Sequence, residues 1–117
     1  MDIALAAEDL AFRDEVRNFL DTEFDAEMQA HLKSRGSKGM VEWQKKLYAK
    51  GWVAPNWPVE HGGTGWSATQ KYIWESERSL RGIPDVVPFG LVMVANVIMA
   101  FGTDEQKSYF LPRILQS

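Results

Sequence analysis

The sequence predicts an all-α fold, an up-and-down bundle of about six helices interrupted by one long loop rich in Trp, Pro and Gly. Three observations support this class. Apolar residues recur at helical spacing through most of the chain, two capping-box motifs mark helix starts, and segment 51–66 concentrates prolines and glycines. Because 117 residues is the size of one ordinary domain, we expect a single helical domain over 1–117.

Composition narrows the possible functions. Thirteen basic and 16 acidic side chains give a net charge of -3, without the concentrated basic face that binding to nucleic acid or an anionic membrane requires. The absence of Cys excludes disulfides and thiol nucleophiles and is typical of a reducing compartment, so we expect a cytoplasmic protein. The acidic N-terminus does not resemble a secretory signal, and apolar segment 86–101 is too short to predict a membrane span.

The first half of the chain predicts three helices. An amphipathic pattern covers 7–23, a weaker one covers 25–33, and a third covers 40–49. Gly51 then stands where a left-handed C-terminal cap is expected. Segment 36–39 contains two glycines, so we expect it to separate the second and third helices.

A capping box at 67–70 predicts the start of a fourth helix, which should continue to about Leu80. Its opposite charges recur four residues apart, as expected on solvated helix faces. The predicted pairs are Lys71 with Glu75 and Glu77 with Arg81.

Segment 87–101 predicts a fifth helix that is apolar nearly all round. This pattern is typical of the core of a domain or of an interface, and we interpret it as a buried core helix. A second capping box at 103–106 begins a sixth helix, and Pro112 is expected to end or bend that helix near Leu111.

The histidines His31 and His61 belong to no recognisable metal-binding pattern, so we expect no metal site. His61 follows Glu60 in the loop, and a general-base role is one hypothesis. A solvated or loop-ordering histidine is the favoured interpretation.

Gly62-Gly63-Thr64-Gly65 resembles a phosphate-binding motif only superficially, because no strand precedes it. These glycines predict a tight turn into the helix that starts at Ser67, although that helix N-terminus could still bind an anion. The loop also holds large rings that predict either anchoring of the loop to the helices or the lining of a pocket. These are Trp52, Trp57 and Trp66.

Two motifs carry a family resemblance. Segment 51–65 reads GWVAPNWPVEHGGTG, and segment 101–112 reads FGTDEQKSYFLP. In this order and at this separation, they resemble the N-terminal helical domain of the flavin-dependent acyl-CoA dehydrogenases. The Trp57-Pro58 pair resembles bacterial members, including those that act on bulky acyl-CoA substrates such as steroid side chains.

The resemblance implies that this chain corresponds to the first of three domains, followed in the family by a middle β-domain and a C-terminal helical domain. Such an enzyme binds FAD and oxidises the Cα–Cβ bond of an acyl-CoA thioester, passing electrons to an electron-transfer acceptor. The family's catalytic glutamate lies in the C-terminal domain, so no catalytic residue is expected here. Glu60 is not interpreted as the base, and no FAD is expected to bind tightly to this domain alone.

The resemblance further implies that the fifth helix forms one wall of the acyl pocket. Placed by register against Gly102, the pocket-facing positions are Val86, Phe89, Gly90 and Met93. Their helical spacing is equally typical of ordinary core residues. The alternative function is a free-standing helical module that binds a protein partner, and homo-oligomerisation is expected under both interpretations.

Overall fold

The computed structural model describes residues 5–86 and 89–116, and the predicted all-α class is confirmed. Within those residues there are six α-helices, one 3₁₀ turn, one π-helical segment and no strand. The α-helices are α1 Ala7–Glu23, α2 Ala26–Arg35, α3 Ser37–Lys50, α4 Ala68–Leu80, α5 Ala95–Phe101 and α6 Asp104–Gln116. The 3₁₀ turn is Val59–His61, and the π-helical segment is Phe89–Val94.

The helices α1 and α4 pack against each other, as do α2 and α3, while α6 contacts α3 and α5. On α1 the buried residues occupy one face, as the periodicity predicted. They are Phe12, Val16, Phe19 and Leu20. Asp25 caps α2 by accepting a hydrogen bond from the Met28 amide at 2.9 Å.

The break between α2 and α3 is shorter than the sequence predicted. Only Gly36, with φ of 54°, separates the two helices, so α3 begins at Ser37 rather than Met40. A Cβ at Gly39 would lie 2.6 Å from the His31 carbonyl oxygen. Gly39 is therefore a helical residue whose missing side chain lets α3 approach the α2 backbone, and the prediction that it breaks the helix was wrong.

Helix α4 has the predicted limits and capping box. The Gln70 amide donates to Ser67 Oγ at 3.1 Å, and the Ser67 amide donates to Gln70 Oε1 at 2.9 Å. The predicted charge pairs differ from expectation, because Glu75 pairs with Arg78 rather than Lys71. Glu77 does pair with Arg81, but its side chain is only 8% exposed, so it does not lie on a solvated face.

The prediction of a buried core helix over 87–101 was wrong for most described positions. Residues 87 and 88 lie outside the described range, and the first regular element after them is the π-helical segment Phe89–Val94. Leu91 and Ala95 are buried, whereas five large apolar side chains are at least half exposed. We call these five the apolar face: Val92, Met93, Val94, Val97 and Phe101.

Helix α6 does not end at Leu111 but continues through Pro112 to Gln116. Its capping box is confirmed, with the Gln106 amide 3.1 Å from Thr103 Oγ1. Beyond the proline, Leu115 is buried. The side-chain amide of Gln44 donates from Nε2 to the backbone carbonyls of Ile114 and Leu115. This contact with α3 satisfies carbonyls at the end of α6 and stabilises the turn after Pro112.

A buried carboxylate links helices α1 and α4. Glu77 on α4 accepts from Arg17 Nε of α1 at 2.9 Å and from Arg81 Nη1 at 2.8 Å. Burial alone would raise the pKa of the Glu77 carboxyl, but the hydrogen bonds from Arg81 and Arg17 outweigh it and hold the pKa below its usual 4.5.

Glu77→Gln should lower the free energy of unfolding by about 1–3 kcal/mol, because the arginines lose a charged acceptor inside the α1–α4 interface. Urea denaturation at neutral pH measures the loss. Asp21→Asn is the matched control, since Asp21 pairs with Arg81 while 69% exposed, and should cost less than about 1 kcal/mol.

The stabilisation by Glu77 should also depend on pH in a defined direction. The pKa of the Glu77 carboxyl is lower in the folded state than its usual value of about 4.5 in the unfolded state. Its contribution to the free energy of unfolding is therefore complete above about pH 4.5, and it disappears as the pH falls through the folded-state pKa. The stability difference between the wild type and Glu77→Gln should therefore narrow below about pH 4.5. An unchanged difference at low pH would contradict this account.

Candidate functional site

A cleft of about 360 Å³ lies between the loop, α4 and two stretches of chain, 84–86 and 91–96. Tryptophan rings dominate its walls, and a volume of this size is in the range of small-molecule sites. The aromatic lining residues are Trp43, Trp52, Trp57 and Trp74. The polar or charged lining residues are Asn56, Lys71, Glu75, Arg78, Asp85 and Asn96.

Trp52 fixes the beginning of the loop. Gly51 adopts the predicted left-handed cap, with φ of 84° and ψ of 19°, and turns the chain so that Trp52 is buried. The Trp52 ring then makes edge contacts with Phe19 of α1 at 4.9 Å and Trp74 of α4 at 5.5 Å between centroids. The loop is thereby packed against both helices through edge-to-face aromatic contacts.

Trp57 fixes the far wall of the cleft. Its Nε1–H donates to the Leu91 carbonyl of the π-helical segment at 2.7 Å in a buried contact. The Val59–His61 turn follows directly after this anchor. Both sequence hypotheses for the loop tryptophans therefore hold for Trp52 and Trp57, which anchor the loop and also line the cleft.

The glycine segment does not form a phosphate cradle. The amides of His61 and Gly63 donate to the Pro58 carbonyl at 3.0 Å, and the Gly62 amide donates to the Val59 carbonyl at 3.0 Å. These N–H groups are used inside the turn, so they cannot also hold a phosphate. A Cβ at Gly63 would lie 1.7 Å from the Trp57 carbonyl oxygen, which explains glycine there by backbone contact.

The two histidines lie in separate places. His31 Nδ1 donates to Glu42 Oε2 at 2.6 Å and so joins α2 to α3. His61 Nε2 lies 3.9 Å from the exposed Glu60 carboxylate, in a shallow groove beside α6 rather than in the cleft. Among residues 5–86 and 89–116, no group of three His, Cys, Asp or Glu side chains is arranged to hold a metal ion.

The four predicted pocket positions are not brought together on one wall of the described structure. Val86 is half-buried and lines the cleft, whereas Met93 is 59% exposed on the apolar face. Gly90 lies against α6, where a Cβ would be 3.1 Å from Ile114 Cγ2. The side chain of Phe89 lies outside the described set, and the assignment of these residues to an acyl pocket stays a prediction.

Sequence reasoning did not single out Arg78, the most buried cation in the cleft. Arg78 Nη1 donates to the Ile83 carbonyl at 2.7 Å and so ties the end of α4 to the chain that leads to the cleft wall. The available signal was its spacing of four residues from Trp74, which places both side chains on one face of α4. Periodicity alone does not distinguish such a cation from a solvated one.

Three comparisons with known proteins agree with one another. The family model for the acyl-CoA dehydrogenase N-terminal domain matches residues 6–117. The chain is 38% identical to acyl-CoA dehydrogenase FadE26 of Mycobacterium tuberculosis over 120 residues, which cover 97% of this chain and 30% of the relative. It is 35% identical to acyl-CoA dehydrogenase IpdE1 of the same species over 112 residues, covering 88% of this chain and 29% of the relative.

Among solved structures, a chain of the ChsE4-ChsE5 complex from Mycobacterium tuberculosis is similar, with a TM-score of 0.77 and 36% identity. The match covers 99% of this chain and 29% of that chain. The chain thus spans about 30% of the length of the relatives that it matches. No helix of the described residues is both long enough and apolar enough to cross a membrane.

Gly63→Ala should lower the free energy of unfolding by about 3 kcal/mol or more, because the new methyl group overlaps the Trp57 carbonyl and backbone must move. Thermal unfolding followed by tryptophan fluorescence measures this change. Gly51→Ala is the control, since it also replaces a glycine but has no atom within 4 Å of the added Cβ. Its left-handed backbone should cost about 1–2 kcal/mol, and equal losses in both variants would contradict the close-contact explanation.

Proposed function

The chain belongs to the acyl-CoA dehydrogenase family, as its N-terminal domain, and on that basis we propose that it forms part of a flavin-dependent enzyme that oxidises the Cα–Cβ bond of an acyl-CoA thioester. The family match over residues 6–117 is the observation that carries this proposal. The catalytic base is assigned to regions of the whole protein outside these 117 residues, and Glu60 is not that base. Glu60 is exposed in the turn and lies outside the cleft.

FAD in this proposal is held mainly by the rest of the protein. The amides of His61, Gly62 and Gly63 are already paired with loop carbonyls, so these three donors are not free to hold the pyrophosphate of a dinucleotide cofactor. The contribution of this domain is therefore structural: it supplies a rigid wall beside the reacting groups.

That wall is proposed to be the chain from Val86 to Phe101. Its inner side is held by Leu91 and Ala95, while Met93 and its apolar neighbours face outward. The rigid inner contacts would keep the outward side chains in place against an acyl group. Under this proposal Met93 faces the acyl group from the outward side, and Val86, Phe89 and Gly90 also contribute to the acyl pocket in the complete protein, Val86 from the cleft and Gly90 from its contact with α6.

The apolar face also supports an assembly. Contiguous exposed apolar surface on a soluble domain usually marks a contact with another domain or chain. We assign it to contacts with the β-domain and the C-terminal domain that the resemblance implies for the whole enzyme, and to homo-oligomer contacts. The similar solved chain occurs in a complex of two named proteins, which supports an assembled state.

The substrate proposed is a bulky acyl-CoA, such as one from steroid or fatty acid catabolism in the cytoplasm, with a separate electron-transfer acceptor. The Trp57-Pro58 resemblance supports the bulky class. The second candidate function is a free-standing helical module that binds a protein partner through the apolar face. The exposure of that face, which reaches 86% at Phe101, is the observation that favours it.

Expression of the complete native gene should discriminate between a dehydrogenase and a protein-binding module. We expect a purified complete protein with flavin absorbance that reduces a redox dye when an acyl-CoA is added. The 117-residue chain with added FAD should give no dye reduction, because it lacks the base and most flavin contacts. A gene that ends after Ser117, or turnover by the isolated chain, would overturn the proposal.

Phe101→Asp should reduce self-association of the isolated chain, because a carboxylate on the apolar face carries a desolvation cost in any contact there. Sedimentation velocity over a range of concentrations measures the oligomer fraction. Leu80→Asp is the control, since Leu80 is 82% exposed but lies on α4, away from that face. A wild-type chain that stays monomeric at high concentration would count against the interface.

A further inference from the structure

The π-helical segment Phe89–Val94 runs directly into α5 at Ala95. In a π-helix each carbonyl accepts from the amide five residues ahead, whereas in an α-helix it accepts from the amide four residues ahead. Where the first pattern changes to the second, one carbonyl is passed over and has no amide of its own in the helix. With the segment ending where it does, the last π-helical bond joins the Ala95 amide to the Gly90 carbonyl. The carbonyl that is passed over is therefore that of Leu91.

Trp57 supplies the donor that this carbonyl needs. Its Nε1 lies 2.7 Å from the Leu91 oxygen in a buried contact, and the two residues are only 7% and 6% exposed. A buried carbonyl without a donor keeps the cost of its desolvation. In a regular α-helix the Leu91 carbonyl would accept from the Ala95 amide instead and would not need the indole. The bond from Trp57 therefore stabilises the π-helical register over the α-helical one.

Gly90 disfavours the competing α-helical register. If the Ala95 amide paired with Leu91, Leu91 would move to the place that Gly90 now occupies. A Cβ at Gly90 would already lie 3.1 Å from Ile114 Cγ2 on α6. A leucine side chain there would crowd α6, and its buried place in the core would be left empty. Gly90 and Trp57 thus favour the same register by different means.

The loop fixes the position of the indole. The Trp57 amide donates to the Ala54 carbonyl at 3.2 Å, which holds the backbone on one side. On the other side Gly63 lies so close that a Cβ there would be 1.7 Å from the Trp57 carbonyl oxygen, and the Gly63 amide donates to the Pro58 carbonyl at 3.0 Å. The direction of the Trp57 donor is therefore set by the loop and not by the segment that it contacts.

We propose that Trp57 is a positioning residue: through the Leu91 carbonyl it holds segment 89–94 in the π-helical register and so sets which side chains of the wall face the acyl group. One extra residue in a helical turn corresponds to a rotation of about 100° between the residues before and after it. This rotation decides which side chains of the segment face outward beside Val97 and Phe101. The effect on the substrate rests on the proposed function, whereas the effect on the segment does not.

Trp57→Phe in the complete protein is the test. Amide hydrogen exchange in residues 89–96, followed by mass spectrometry, should become at least about tenfold faster, because the segment loses a buried hydrogen bond while Gly90 still disfavours the α-helical register. Exchange in α6 should stay unchanged. The ratio of kcat/KM between a ring-bearing and a straight-chain acyl-CoA should change at least about threefold, with the same flavin content per protein.

Trp66→Phe is the matched control. The Trp66 ring packs against Trp52 and Trp74 at 5.3 and 6.0 Å between centroids, so this variant removes an indole and leaves the bond to Leu91 in place. Exchange in residues 89–96 and the substrate ratio should both stay at the wild-type values. If Trp57→Phe does not fold, Trp57→benzothienylalanine keeps the two-ring shape, replaces the N–H with sulfur, and should give the results expected for Trp57→Phe.

Unchanged exchange in residues 89–96, an equal change in Trp66→Phe, or an unchanged substrate ratio in an active enzyme would overturn the proposal. A complete wild-type protein without dehydrogenase activity would instead overturn the proposed function and the substrate effect that rests on it. The exchange measurement would still decide whether Trp57 holds the π-helical register.

Discussion

The fold depends on the packing of an irregular loop against α1 and α4 through an aromatic cluster. Trp52 is central, with ring contacts to Phe12, Phe19, Trp66 and Trp74 at 4.9–6.0 Å between centroids. A loop of 16 residues would carry a large cost in conformational entropy if it were free. The burial of several large rings offsets that cost and converts the loop into a fixed wall.

The sequence predictions that were confirmed concern features with local causes. Helix starts with capping boxes were predicted correctly at Ser67 and Thr103, because the cap depends on residues within one turn and needs no tertiary information. Gly51 is a similar case, since a left-handed cap is a local stereochemical requirement. The family resemblance is confirmed by the match of the family model over residues 6–117, a range that contains both motifs.

The errors occurred where a distant contact decides the outcome. Glycine is required at 39 because the α2 backbone passes within 2.6 Å of where a Cβ would be, and the turn that follows Pro112 is held by hydrogen bonds from the Gln44 side chain. Glu77 looked like a surface ion pair because its partner on α1 is 60 residues away. For the cleft, helical periodicity could not show that the Trp43 indole N–H would have no hydrogen-bond partner among the residues that the structure describes.

The exposed apolar side chains of residues 92–101 follow from the same architecture. The hydrogen bond from Trp57 and the burial of Leu91 and Ala95 fix one side of this chain against the loop, so its other side must face outward. A helical segment that is apolar all round buries all of its apolar side chains only when a second surface covers its outer side. The loop thus has a role that its glycines did not indicate: it sets which side of the apolar chain is buried and which side remains exposed.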